Sequence, residues 1–117
     1  MRTPAQAIRI YVGGLRKHGH RPLYEVIVER ARKHGLAGAT VVRGVMGYGA
    51  SGRLRKARAL RVVEDLPVVI EIVDQPERIA RFLPDLDGLI IQGLVAIRDA
   101  QVTAYREGTT LCKEKGD

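Results

Sequence analysis

The densest chemical signal in the 117-residue sequence is a run of glycines leading into a run of cations. Gly44, Gly47, Gly49 and Gly52 are followed by Arg53, Arg55, Lys56, Arg58 and Arg61. Glycines let a backbone come close to a ligand, and arginines present forked donors that suit phosphate and carboxylate oxygens. Together with Ser51, this composition fits a loop that cradles a small anion. The same basic loop could contact a partner protein, and a solvated β-hairpin arm with glycines only at its turns would read identically.

Gly47-Tyr48-Gly49-Ala50-Ser51-Gly52 also fits the spacing G-x-G-x-x-G of dinucleotide-binding turns. Such a site needs an apolar crossover helix immediately afterwards, whereas five basic residues follow within nine positions. The fingerprint is therefore set aside. His18-Gly19-His20 offers two imidazoles but no cysteine or carboxylate at a useful spacing, so no metal site is expected. His34 beside Gly35 suits a helix C-terminus, where a partly positive ring is favoured. Ser51 has no base at a fixed spacing, and Glu64-Asp65 reads as a turn before a strand. No nucleophile, base and orienting group assemble, and an enzyme is not expected. Cys112 is the lone cysteine, in a polar tail, which excludes an intrachain disulfide and fits a reducing compartment.

Charge sharpens the same contrast. The net charge is +7, but residues 1–61 carry fourteen Lys or Arg against Glu25 and Glu29, while residues 62–117 carry six against eleven. Such polarity points to an anionic ligand on the basic side or to pairing between unlike faces of neighbouring subunits. Nucleic acid is disfavoured despite the basic pI: Phe82 is the only phenylalanine and falls in a helix, and the strands lack clustered aromatics that stack bases. No segment approaches the roughly 18 apolar residues of a membrane span, and the start lacks an export signal, so a cytoplasmic protein that is not membrane-embedded is expected.

The elements that must position these residues follow from periodicity. Ile8, Ile10 and Val12 alternate with polar neighbours as in a half-buried strand that Gly13-Gly14 ends. Leu23, Val26, Ile27 and Ala31 recur at helical spacing, with Pro22 in the first turn and Gly35 as the stop. Residues 39–46 read as a second strand and residues 51–61 as a basic loop. Residues 68–73 form the clearest strand, with Val68, Ile70 and Ile72 toward the core. Asp74 is the expected cap of a second helix carrying Ile79, Ala80, Leu83 and Leu86, which Pro84 should kink or restart. Residues 94–97 and 100–105 read as a short and a longer terminal strand, and residues 106–117 as a frayed tail.

This order, βαββαβ, specifies an α+β ferredoxin-like sandwich in a single domain: a four-stranded antiparallel sheet with two helices on one face. Tyr11, Val69 and Val73 should project from the other face, which an oligomer would cover.

The stretch from Arg43 to Arg53, followed by Leu66-Pro67-Val68-Val69-Ile70-Glu71-Ile72-Val73, resembles nitrogen-regulatory PII proteins. The segments Gly19-His20-Arg21-Pro22-Leu23-Tyr24-Glu25 and Gly35-Leu36-Ala37-Gly38-Ala39-Thr40 are similar to the PII-like proteins grouped as domain of unknown function 190. The resemblance spans about residues 8–105. It implies a homotrimer with ligand clefts between subunits, an adenine nucleotide as possible ligand with no cofactor required, and a transporter or channel as possible partner. Carried over by motif, Gly44, Gly47, Gly49, Ser51, Arg53, Arg98 and Asp99 would border the ligand, and Arg55, Lys56 and Arg58 would belong to a signalling loop. The sequence departs from the PII pattern near the last strand: Asp99 is present, but Ile97, Arg98, Ala100 and Gln101 stand where flanking glycines and a lysine are found in PII. A non-nucleotide accessory protein and an amino-acid-binding ferredoxin-like sensor are the alternatives.

Overall fold

A computed structural model describes residues 3–56 and 65–106 of the chain. The end of the expected basic loop and the expected tail with Cys112 lie outside the described residues. β1 (Thr3–Gly13) runs the length of the sheet, and its even-numbered residues Ile8, Ile10 and Val12 are buried. A turn leads into a small hairpin, β2 (Lys17–His18) and β3 (Arg21–Pro22), and then into α1 (Leu23–Lys33). The buried residues of α1 are the expected Leu23, Val26, Ile27 and Ala31. Pro22 stands at the N-cap, one position before the helix, with its φ of −57° already suited to the entry. At the entry, Arg21 reaches Glu29 with two hydrogen bonds of 2.7 and 2.8 Å, which hold the Glu29 carboxyl below its usual range.

β4 (Thr40–Arg43) is shorter than residues 39–46. The chain breaks at Gly44 and resumes as β5 (Met46–Gly47), which pairs with β6 (Arg55–Lys56) to form a separate hairpin arm. β7 (Pro67–Asp74) buries Val68, Ile70 and Ile72. The cap of α2 (Pro76–Leu89) is Gln75 rather than Asp74. Asp74 ends β7, where its carboxylate accepts from the Gln75 and Ala37 N–H groups and pairs with Arg78. α2 also continues through Pro84, and its buried stripe is Ile79, Phe82, Leu86 and Leu89, with Ala80 exposed. β8 (Leu94–Val102) is one strand rather than two, because β1 supplies an unbroken pairing edge from Thr3 to Tyr11.

The sheet order is β4-β7-β1-β8, and every neighbouring pair is antiparallel. This is the α+β ferredoxin-like arrangement, with both helices on one face. The core is the interleaving of Ile8, Ile10, Val68, Ile70 and Ile72 with Ile27, Ile79, Phe82 and Leu86. Each of these large side chains, once fully buried, contributes about 1.5–3 kcal/mol from the water it leaves. α1 and α2 are tied outside the core by Asp85, which meets both Arg30 and His34.

Residues paired directly across antiparallel strands share a face. Tyr11 with Val69 and Leu94, Arg9 with Glu71, Ala7 with Val73 and Arg98, and Val42 with Val69 therefore all lie on the face away from the helices. At its centre Arg9 donates to Glu71 at 3.1 Å, and Arg98 approaches the same carboxylate oxygen at 3.9 Å.

Candidate functional site

One end of the sheet gathers four segments distant in sequence: the end of β1 with the turn after it, the β5–β6 arm, the entry to β7, and the turn between α2 and β8 with the start of β8. Between them lies a cavity of about 570 Å³, lined by Tyr11, Gly13 and Arg16 from the first, residues 47–51 with Arg53 and Arg55 from the arm, Asp65 and Pro67 from the third, and Gln92, Gly93 and Leu94 from the last.

The arm is placed by backbone bonds. The Gly44 N–H donates to the Pro67 carbonyl at 2.7 Å, and a Cβ on Gly44 would come within 2.9 Å of the Pro67 ring. The chain thus folds over Pro67 only because it has no side chain there. The arm then closes on itself: the Gly52 N–H donates to the Gly49 carbonyl at 2.8 Å, and the Arg53 N–H to Ser51 Oγ at 3.2 Å. That hydroxyl serves the local turn and directs Arg53 back toward the cavity.

The opposite wall is equally fixed. Asp65 Oδ1 accepts from the Leu15 N–H at 2.8 Å, and the Leu66 carbonyl accepts from the Gly14 N–H at 2.8 Å, so the entry to β7 pins the turn after β1. Arg16 donates to the Gln92 side chain, linking that turn to the one before β8. Three arginines, Arg16, Arg53 and Arg55, therefore share the cavity with one carboxylate, Asp65. Such a balance favours an anion, and the faces of Tyr11 and Tyr48 add flat apolar surface beside it.

Of the residues singled out by sequence, Gly47, Gly49, Ser51, Arg53 and Arg55 line this cavity. Gly44 packs on Pro67 behind it, and Lys56 pairs with Met46 across the arm. Arg98 and Asp99 lie farther along β8, opposite Ala7 and Gln6, and are not among the lining residues. Arg98 stands instead with Arg9 and Glu71 on the open face. Arg58 lies outside the described residues. Sequence reasoning missed Arg16, Asp65 and Gln92, which reach the site from other segments. The Gly13-Gly14 break and the Glu64-Asp65 turn are the local signals near Arg16 and at Asp65.

His18 and His20 are exposed on the β2–β3 hairpin, and no group of three potential metal-ligating side chains occurs among the described residues. No described helix is long and apolar enough to cross a membrane.

A ferredoxin-like sheet with a glycine-rich, basic arm after β4 is the PII-like fold. Solved structures agree on the fold. CPII, a nitrogen regulatory PII-like protein from Thiomonas intermedia K12 bound to ADP, AMP and bicarbonate, superposes with a TM-score of 0.69 at 20% identity, covering 89% of this chain and 92% of that one. A PII-like signaling protein from Thermus thermophilus superposes with a TM-score of 0.62 at 19% identity, over 86% and 91%.

Within that class, the chain belongs to the DUF190 family, described as Uncharacterized ACR, whose model matches residues 5–102. The UPF0166 protein of Aquifex aeolicus is 38% identical over 95 residues, 81% of this chain and 90% of that protein.

Proposed function

We propose that the chain is a PII-like regulatory protein whose cavity receives an adenine nucleotide or a similar small anion and whose basic arm carries the state of that cavity to a partner. The observation that carries this reading is the convergence of Arg16, Arg53 and Arg55 on one cavity of nucleotide-compatible size, about 570 Å³. Phosphate oxygens would meet the arginines, and the base would lie against Tyr11 or Tyr48. The nucleotides held by the Thiomonas relative support this ligand class. A loop that supplies ligand contacts and also projects from the sheet is suited to change order when a ligand binds.

A homotrimer fits the same reading, because the open face displays Val42, Val73 and Leu94, apolar surface that a second copy would cover. In such an assembly Arg98, which lies on the covered face, would meet a neighbouring subunit rather than its own cavity. The family's PII relationship makes a cytoplasmic, non-enzymatic role beside a transporter or channel the accompanying expectation, with residues 1–117 acting as a single domain.

Calorimetric titration of the purified protein with ATP, ADP and AMP tests the proposal. Saturable binding is expected, weakened about tenfold to a hundredfold by Arg53→Ala or Arg55→Ala, as befits loss of a hydrogen bond to a charged group. Absence of binding by folded protein overturns the nucleotide reading and favours a partner-binding accessory protein.

A further inference from the structure

The end of the molecule that holds the cavity has a second property besides the cavity itself. Six large apolar side chains face solvent there: Leu15 on the turn after β1, Val45, Met46, Tyr48 and Leu54 on or beside the arm, and Ile91 on the turn before β8. Ile91 is 96% exposed, Tyr48 75% and Val45 74%. These are loop-tip residues, and none is needed to fill the core. Interleaved with them in the same segments are Arg16, Lys17, Arg53, Arg55 and Lys56. Among the described residues that line the cavity, the one carboxylate, Asp65, accepts from the Leu15 N–H.

We propose that this end of the molecule docks peripherally on an anionic lipid surface, with Ile91, Tyr48 and Leu54 entering the headgroup boundary and the surrounding cations meeting lipid phosphates and carboxylates. Basic residues near an anionic bilayer are attracted by its surface potential, and apolar tips among them add the short-range contact. A lipid surface suits this pattern better than an acidic protein. The tips come from three segments distant in sequence, and a fluid surface accommodates them without matched pockets. The arm's strands are two residues each, too short to offer a partner an extended pairing edge.

The contact does not depend on a filled cavity, so it is tested on the full chain without nucleotide. The protein is sedimented with vesicles of phosphatidylcholine alone and of phosphatidylcholine containing phosphatidylserine. Retention is expected only with phosphatidylserine and should fall as salt rises. Lys56→Ala should weaken it about fivefold, the effect of one surface cation. Ile91→Asp should abolish it, and at so exposed a position the fold is unaffected. A folded protein that ignores phosphatidylserine overturns the proposal. So does retention that Ile91→Asp leaves intact while polyglutamate competes it away, which would assign the cations to an acidic protein instead.

Discussion

At the scale of single residues, the site is built as much by side chains that are absent as by those present. Gly93 shows this most sharply: a Cβ there would lie 2.7 Å from the carbonyl oxygen of Tyr11 and 3.1 Å from Val12. A backbone oxygen inside a strand pair cannot step aside, so Gly93→Ala should lower stability by about 1–3 kcal/mol in chemical denaturation, as overpacking does. The candidate residues legible in sequence, Gly47, Gly49, Ser51, Arg53 and Arg55, are neighbours in one segment, and their types alone announce an anion cradle. Arg16, Asp65 and Gln92 belong to other segments, and each looks like an ordinary turn residue until the fold brings it to the cavity. Arg98 illustrates the converse. Its charge suggests a ligand contact, but the period of the strand puts it on the same face as Glu71, whose carboxylate lies 3.9 Å away across β1.

At the scale of elements, β1, β7, α1 and α2 are legible because each buries one face and writes that face as a period of two or of 3.6, whereas β4 and β8 bury no residue fully and are read from β-branched composition and from their place in the order. The departures occur where pairing or packing overrides a local signal. Residues 98–99 are polar enough to suggest a break, yet β8 continues because β1 offers a partner at every position from Thr3 to Tyr11. Pro84 should interrupt a helix, yet α2 keeps Phe82, Leu86 and Leu89 buried on one stripe, and that packing outweighs one missing N–H. Because Pro84 is exposed, its replacement restores a hydrogen bond without disturbing the core. Pro84→Ala should therefore raise stability by about 1–2 kcal/mol, the helix-interior penalty of proline less the freedom its removal returns to the unfolded chain; a lower urea midpoint would show that the proline fixes a bend on which the packing depends. The arm reads as a loop in sequence because two-residue strands leave no periodic trace.

At the scale of the whole molecule, the two faces of the sheet differ. One is covered by helices; the other carries the Arg9–Glu71–Arg98 cluster, with exposed apolar side chains on the same face and the basic cavity at one end of the sheet. If copies of the chain cover this face, a charge at its margin should keep them apart. Val42→Glu is expected to reduce the particle measured by light scattering to a monomer, whereas an unchanged size would show that the face is not an intersubunit surface. The distribution of tyrosines has a further, optical consequence. The sequence contains no tryptophan and four tyrosines, and two of them, Tyr11 and Tyr48, border the cavity, whereas Tyr24 is held beside Arg43 and Tyr105 lies at the far end of the sheet. Half of the intrinsic tyrosines therefore stand at the cavity. A single indole introduced by Tyr48→Trp, at a position that already faces solvent, would be the chain's sole fluorophore excitable at the red edge, reporting by colour and polarisation whether the arm is wet, filled or pressed against another surface.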